Sequence, residues 1–298
     1  MSYDERFAAY KAMTEQTLES MWGGAQFAAI PPTLRESMRY SLMAGGKRLR
    51  PVLLLATCDM LGGSLEEAKV PAAALEMIHT YSLIHDDLPG MDDDDTRRGR
   101  PTNHKVFGIG PAILAGDGLL NAAYESLLSN ALAHAEHMER HVRAIEAIAR
   151  RAGVCGMIAG QSIDLQSEHA SPDAATLRAI HTHKTADLLT APLEAAAYLS
   201  GAVEASIHAL VLFGQSVGMA FQIDDDVLDV VGDPTILGKQ VGQDESRGKM
   251  TWPSLVGLDG ARAESARLWA QATAALSIFG ERAEFLRTFA TRTAARKS

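Results

Sequence analysis

Residues 85–108 read HDDLPGMDDDDTRRGRPTNHKVFG and restrict the fold and the chemistry of this chain more than any other stretch. Asp86 and Asp87 are followed, after Pro89-Gly90, by a run of aspartates at positions 92–95. So many carboxylates in a short segment repel one another unless cations neutralise them. A solvated acidic loop, balanced by the arginines that follow, is the simplest interpretation because most charge runs are solvated.

The residues before this segment favour a second interpretation, a metal site. Residues 72–84 are largely apolar, so Asp86 and Asp87 would end a helix that enters the core. On an uninterrupted helix Asp92 would lie about 240° around the axis from Asp86, whereas a bend at Pro89-Gly90 could bring them together. Ligands that are all oxygen indicate a hard cation, most simply Mg²⁺ bound together with substrate phosphates. The spacing does not match a calcium EF-hand loop.

A second acidic motif lies in the C-terminal third, where residues 221–233 read FQIDDDVLDVVGD. Asp225 and Asp229 are four residues apart, so on a helix they share a face. A single cluster of this kind is readily explained as structural rather than functional. Two of them, each at the end of an apolar helix, suggest a shared cleft with metal ions between them.

Basic residues stand beside both acidic motifs, as expected if the metal ions accompany an anion. Residues 45–51 read GGKRLRP and would place Lys47 and Arg50 on one face if that segment is helical. Each lysine taken alone is most simply a surface charge. Arginine suits bidentate phosphate binding, while lysine acts as a compact positive charge. The other candidates are Arg97 and Arg98 after the first motif, Lys184 in HTHKT, and Lys239 and Lys249 after the second motif.

Three histidines need separate consideration. His79 lies seven residues before Asp86, on nearly the same helix face and roughly 10 Å away. It would suit a phosphate donor deeper in the same cleft, and a buried structural histidine is equally compatible with the pattern. His181 and His183 do not indicate zinc, since no cysteine or third histidine is suitably spaced.

Composition describes an ordinary globular protein without nucleic-acid partners. The 298 residues are 47% hydrophobic and 22% charged, and the net charge of -9 disfavours non-specific nucleic-acid binding. Two cysteines fit a reducing compartment, and the N-terminus lacks the pattern of a secretion signal, so we expect a cytoplasmic protein. The uncharged stretch 205–223 contains polar residues and runs into aspartates, which predicts a buried core helix rather than a membrane span.

Helix-forming residues dominate the chain, and alternating runs of β-branched and aromatic residues are nearly absent. Proline and glycine pairs separate the helical stretches, and no low-complexity linker divides them. These patterns predict an all-α protein of ten or so helices, organised as one domain over residues 1–298.

Together these motifs resemble the trans-prenyltransferases, also called polyprenyl or isoprenyl diphosphate synthases, and most closely the bacterial farnesyl diphosphate synthase subgroup. The resemblance covers nearly the whole chain in order: GGKRLRP, IHDDLPGMDDDDTRRGRPT, GQSIDL, HKT, FQIDDDVLDVVGD, and the LGK and GK segments. It implies the isoprenoid synthase fold, with helices around a central cavity, and a homodimer. It also implies a Mg²⁺-dependent 1'-4 condensation of isopentenyl diphosphate with an allylic diphosphate.

The resemblance assigns roles to individual residues. Asp86 and Asp92 would hold two Mg²⁺ ions and Asp225 a third, supported by Asp87, Asp226 and Asp229. Arg97, Lys184 and Lys239 would contact the allylic diphosphate. Isopentenyl diphosphate would be held by Lys47, Arg50, His79 and Arg98. The carbonyl groups of Lys184 and Thr185 and the side chain of Gln222 would face the allylic cation, and Lys249 would close the rear of the site.

Product length is the finer question. Tyr81 lies five residues before Asp86, followed by Ser82, and an aromatic residue there resembles the fifteen-carbon synthases. The alternative is that Tyr81 is only a core aromatic residue and does not limit product length. A geranyl or geranylgeranyl diphosphate synthase, a terpene cyclase and a non-catalytic subunit are competing functions. The chain departs from the family pattern at Ala186, Asp187, Asp224, Met250 and Trp252.

Overall fold

The computed structural model describes residues 1–168, 173–232 and 248–295. These residues are mostly helical with almost no strands, which confirms the predicted all-α class. The described part of the chain contains one small sheet, an antiparallel hairpin of β1 (Thr96–Arg97) and β2 (Arg100–Pro101). The chain groups into two compact units, one of residues 1–145 and 198–200, the other of residues 146–197 and 201–298. The prediction of a single domain stays a prediction.

The first unit is built around one long buried helix, α5. Its helices are α1 (Tyr3–Gly23), α2 (Ala25–Ala28), α3 (Pro32–Leu42), α4 (Leu49–Met60), α5 (Leu65–Asp86), α6 (Asn103–Phe107) and α7 (Ile109–Ala133), followed by a 3₁₀ turn (Ala135–His137). The Ser64 hydroxyl caps α5 by accepting from the Glu67 N–H, and the helix packs against α4 and α7. Because α5 ends at Asp86, the first acidic motif begins where the sequence predicts.

The second unit contains most of the later helices and a π-helical turn, although residues 138–145 and 198–199 of these helices belong to the first unit. After α8 (Met138–Ala152) come α9 (Met157–Ser167), α10 (Ala174–Ile180), the π turn (His181–Ala186), α11 (Asp187–Leu199), α12 (Glu204–Val231), α13 (Trp252–Ala275), a 3₁₀ segment (Leu276–Ala283) and α14 (Glu284–Ala294). Helix α12 packs against α13 and against the π turn. Residues 221–231 of the second acidic motif therefore lie in the last turns of a packed helix, as predicted.

Helix α12 includes the uncharged stretch identified in the sequence. Phe213, Val217 and Ile223 on this helix are fully or almost fully buried within the protein. By length and composition alone α12 could cross a membrane, with a mean hydropathy of 1.3 over its most apolar window, but half of that window is buried inside the fold. Its identity as a buried core helix rather than a membrane span stays a prediction.

Candidate functional site

The first acidic motif turns back on the end of α5. The chain bends through Pro89 and Gly90, and Gly90 adopts a φ of 92°, which favours glycine. As a result the Asp92 N–H donates to the Asp86 carbonyl oxygen at 2.8 Å. The predicted Pro-Gly bend thus brings the backbones of Asp86 and Asp92 together at one end of the helix.

Asp87 has a different environment from its neighbour Asp86. Its side chain is buried and accepts from Arg97 Nε at 2.7 Å. Burial raises the pKa of Asp87, and the ion pair with Arg97 partly offsets that effect. Asp94 Oδ2 lies 3.6 Å from the same guanidinium. Asp87 therefore fixes the position of Arg97, and the supporting role in metal binding expected for it stays a prediction.

The first motif suits a hard cation in its donor chemistry. Within residues 1–168, 173–232 and 248–295, no three His, Cys, Asp or Glu side chains are gathered closely enough to hold a metal ion. Mg²⁺ usually takes only one or two carboxylates from the protein and completes its shell with water and substrate phosphate. Asp86 and Asp92, brought together at the end of α5, fit that requirement, and their role as ligands stays a prediction.

An arginine cluster surrounds His79 on α5. Burial lowers the pKa of His79 well below its ordinary value, and the nearby guanidinium groups lower it further. The arginines responsible are Arg50, Arg98, Arg97 and Arg48. The imidazole is therefore neutral at pH 7 and can donate one hydrogen bond, while the arginines supply positive charge. Positive charge is thus concentrated near His79, which suits an anion.

The GGKRLRP segment contributes to this cluster through its backbone. The Arg98 guanidinium donates to the Gly45 carbonyl oxygen and lies over Gly46, where a Cβ would come within 2.9 Å of Arg98 Cζ. Gly46 also has a φ of 128°, a conformation that side-chain-bearing residues rarely adopt. The two basic motifs, separated by about fifty residues in sequence, therefore meet at these glycines.

Lys47 and Arg50 do not share a helix face, and this corrects the expectation from their spacing. Helix α4 begins only at Leu49, and Arg48 before it has a left-handed backbone with a φ of 53°. Lys47 lies before that reversal and is exposed. Arg50 lies inside the helix, where burial lowers its pKa to about 10, and its Nε has no hydrogen-bond partner.

Sequence reasoning missed the buried pair that supports the arginine cluster. Arg48 donates to Glu76 Oε1 at 2.6 Å, and both side chains are almost completely buried. Glu76 Oε1 also lies 4.0 Å from Arg98. A lone glutamate inside the apolar run of residues 72–84 was the signal available in the sequence, because a buried carboxylate requires a partner.

The second unit contains a cavity of about 400 Å³ lined by several of the predicted site residues. Asp164 lies 2.6 Å from Lys184 Nζ and 4.0 Å from Lys249 Nζ. Asp164 belongs to the GQSIDL motif, and its pairing with these lysines was not anticipated. The lining residues are Asp164, Ile180, His181, Lys184, Thr185, Gln222, Asp226, Lys249 and Met250.

A chain of hydrogen bonds crosses this cavity wall. The Thr185 hydroxyl donates to Gln222 Oε1 at 2.8 Å, and Gln222 Nε2 donates to Asp226 Oδ1 at 3.2 Å. The Trp252 N–H donates to Asp226 Oδ2 at 2.9 Å. This chain fixes the orientation of the Gln222 amide, with its oxygen toward Thr185. The structure thus brings together Lys184, Thr185, Gln222 and Lys249.

The π turn that carries Lys184 and Thr185 is pressed between two helices. A Cβ on Gly160 of α9 would lie 2.1 Å from the Lys184 backbone nitrogen, and one on Gly218 of α12 would lie 2.3 Å from Ala186 Cα. Only glycine permits such close backbone approach. Turns of π-helix are rare and occur frequently at functional sites.

The aspartates of the second motif have separate environments. Asp224 accepts from the Ser265 hydroxyl and from Trp269 Nε1, so it binds α12 to α13. Asp226 and Asp229 are buried, whereas Asp225 is partly exposed. The predicted helix brings Asp225 and Asp229 onto one face. Lys239 lies outside the described residues, and the shared cleft for the two motifs stays a prediction.

Tyr81 is buried in α5 next to an aromatic partner. Its ring contacts His85 edge to face, with centroids 5.7 Å apart, and its hydroxyl has no hydrogen-bond partner. Burial raises the pKa of Tyr81 to about 12, with smaller effects from Tyr124 and Asp86. The neighbouring Ser82 hydroxyl donates to the His79 carbonyl within the same helix at 2.9 Å.

Comparison with known proteins identifies the family. The model of the polyprenyl synthetase family matches residues 31–277. The chain is 45% identical to a dimethylallyltranstransferase of Fischerella ambigua, over 92% of this chain and 79% of that protein. It is 46% identical to the farnesyl diphosphate synthase of Bacillus subtilis, over 78% of each chain. It is 47% identical to geranylgeranyl pyrophosphate synthase 9 of Arabidopsis thaliana, over 80% of this chain and 67% of that protein.

A solved structure agrees with these relatives. The crystal structure of a protein described as a farnesyl-diphosphate synthase from Marinomonas sp. MED121 matches with a TM-score of 0.83 and 36% identity, over 99% of both chains. The isoprenoid synthase fold expected from the motifs is therefore confirmed. The chain belongs to the polyprenyl synthetase family and is a trans-prenyltransferase.

Proposed function

We propose that this protein is a farnesyl diphosphate synthase, which condenses isopentenyl diphosphate first with dimethylallyl diphosphate and then with geranyl diphosphate. The buried Tyr81, five residues before Asp86, is the observation that carries the fifteen-carbon assignment. A bulky side chain on the helix that ends at the first acidic motif would limit the length of the growing tail. The Bacillus relative is named for the proposed activity. Because the Arabidopsis relative is named as a geranylgeranyl pyrophosphate synthase, synthesis of the twenty-carbon product is the second candidate function.

The arginine cluster of the first unit is proposed as the isopentenyl diphosphate site. Arg50 and Arg98 contribute guanidinium groups, and the partnerless Arg50 Nε is a donor available to a phosphate oxygen. Neutral His79 adds one N–H, and exposed Lys47 adds a positive charge. Charge-assisted hydrogen bonds of this kind contribute about 1.5–3 kcal/mol each. The cluster supplies enough cations to bind a diphosphate without a metal ion.

The allylic diphosphate is proposed to bind to Arg97, Lys184 and Lys239. Its remaining negative charge would be neutralised by Mg²⁺ held by Asp86, Asp92 and Asp225. The C–O bond to the diphosphate breaks, and its electron pair leaves with the diphosphate. The double bond of isopentenyl diphosphate attacks the allylic carbon, and loss of one proton to the departing diphosphate restores a neutral alkene. Fixed dipoles of the Lys184 and Thr185 carbonyls and of the Gln222 amide stabilise the positive charge during this step.

Two competing functions fit the residues less well. A terpene cyclase needs no isopentenyl diphosphate site, so the arginine cluster around His79 would have no substrate in that reaction. A non-catalytic subunit has no need of a second acidic motif, and this chain retains DDVLD at residues 225–229. Together the two observations favour a catalytic prenyltransferase.

We also propose a cytoplasmic homodimer. Large apolar side chains are exposed along α7, and self-association would remove them from water. They include Ile109, Leu114, Leu128 and Leu132. Both cysteines are free, as expected in a reducing compartment. Light scattering should give twice the mass of one chain, and a monomer mass would refute the dimer.

Replacing Tyr81 with alanine should lengthen the product from fifteen to twenty or more carbons. The substitution removes a buried ring and leaves a space into which a longer tail can extend. Labelled products, dephosphorylated and sized as alcohols, would shift from farnesol to geranylgeraniol.

Tyr81→Phe is the matched control for this experiment. The Tyr81 hydroxyl has no partner, so its loss should change neither stability nor product length. If Tyr81→Ala also continued to make farnesol, Tyr81 would be only a core aromatic residue. Wild-type protein that itself makes geranylgeraniol would exclude the farnesyl assignment.

A further inference from the structure

The π turn His181–Ala186 needs an explanation for its stability. Turns of π-helix are rare in proteins, so tertiary contacts must hold this one in place. Gly160 and Gly218 allow two helices to press on its backbone, but close packing by itself does not fix rotation of the peptide groups. A polar anchor at one end of the turn would do so.

Asp187, the residue directly after the π turn, has the geometry of such an anchor. The residue is 7% exposed, and its two carboxylate oxygens have separate partners. Oδ2 accepts a hydrogen bond at 2.8 Å from Nδ1 of His183, a residue within the turn. Oδ1 accepts a hydrogen bond at 2.7 Å from Arg151, a residue of α8.

Arg151 is itself firmly held. It is 4% exposed and donates through Nε to Glu194, which also accepts from Arg150 at 2.9 Å. The guanidinium group is thus shared by two carboxylates, those of Asp187 and Glu194. Because charge-assisted hydrogen bonds in a buried network are strong and directional, this network gives Asp187 a rigid attachment point.

We infer that Asp187 is a positioning residue for the prenyl transfer: by tying His183 to Arg151 it sets the orientation of the π turn that presents Lys184 and Thr185. The inference rests on the proposed roles of those two residues but not on the product length. It gives a function to one of the positions at which the chain departs from the family pattern.

The chain provides a matched pair of variants for the test. Asp187→Asn and Glu194→Gln each remove one buried carboxylate from Arg151, but only Asp187 contacts the π turn. We expect Asp187→Asn to lower kcat roughly ten- to a hundredfold, since small misplacements of reacting groups have effects of that size. Glu194→Gln leaves both Asp187 contacts in place, so it should keep kcat within about twofold of the wild type, and by breaking the other buried ion pair of Arg151 it should lower the thermal midpoint comparably.

Variants of His183 keep the test decisive if Asp187→Asn folds poorly. His183 is partly exposed, so His183→Ala should fold. It should lower kcat as Asp187→Asn does. The double variant should show no further loss, since both substitutions break the same hydrogen bond between His183 and Asp187. His183→Asn should restore most of the rate, because its amide can donate to Asp187.

The readout is total incorporation of labelled isopentenyl diphosphate, which does not depend on product length. If Asp187→Asn and Glu194→Gln reduced kcat equally, or if the effects at positions 183 and 187 were simply additive, the positioning role would be wrong. If wild-type protein incorporated no label, the failure would instead lie with the proposed function.

Discussion

Replacing Asp86 with alanine is expected to reduce the rate of prenyl transfer by about a hundredfold to ten-thousandfold, because metal-ion charge stabilisation contributes several kcal/mol to a transition state. Asp86 ends α5, and its carbonyl oxygen accepts a hydrogen bond from the Asp92 N–H. Its loss would remove a carboxylate from the predicted Mg²⁺ site, so diphosphate would depart without full charge neutralisation. Asp225→Ala should have an effect of similar size in the second motif.

Asp95→Ala is the control for this pair of variants. Asp95 belongs to the same run of aspartates but is exposed and pairs with Lys105 at 2.7 Å. Surface pairs contribute little to stability, so this variant should keep nearly full activity. Steady-state rates at saturating Mg²⁺, together with circular dichroism spectra, would compare the three. Near-normal rates for both Asp86→Ala and Asp225→Ala would refute a reaction that depends on both motifs.

Gly160→Ala should lower both stability and turnover. The new Cβ would lie 2.1 Å from the Lys184 nitrogen and 2.6 Å from the His183 carbonyl carbon, so backbone atoms would have to move. Overpacking of this kind typically costs about 1–3 kcal/mol, and more when backbone is involved. Displacement of the π turn would also move Lys184 and Thr185, and we expect a rate loss of roughly a hundredfold.

Gly23→Ala is the matched control for Gly160→Ala. Gly23 ends α1, and a Cβ there would meet nothing within 4 Å. This change should leave the rate unaltered and should be neutral or slightly stabilising, since glycine is a poor helix former. Thermal midpoints and condensation rates measure both variants. A Gly160→Ala protein with wild-type stability and rate would show that the π turn is not confined as the structure indicates.

Local patterns made much of the first motif predictable from sequence. The apolar run before Asp86 predicted the helix, and Pro89-Gly90 predicted the bend that returns Asp92 to its end. Both features depend on residues close together in the chain. The four-residue spacing of Asp225 and Asp229 likewise required only a helix, and α12 supplies it.

Contacts between distant segments could not be read in the same way. Asp164 and Lys184 are twenty residues apart on separate elements, and only packing of α9 against the π turn brings them together. The π turn itself has no signature in the composition of HTHKTA. The common helix face expected for Lys47 and Arg50 was wrong because the left-handed Arg48 delays the start of α4. Such backbone reversals at non-glycine residues need tertiary support that spacing does not reveal.

A condensation assay on the purified wild-type chain tests the central claim most directly. Labelled isopentenyl diphosphate would be incubated with dimethylallyl diphosphate and Mg²⁺, with and without EDTA, and the products dephosphorylated and sized. We predict that label enters a dominant farnesol fraction with Mg²⁺ and that EDTA abolishes its formation. A folded protein that transfers no label in the presence of Mg²⁺ would contradict the account.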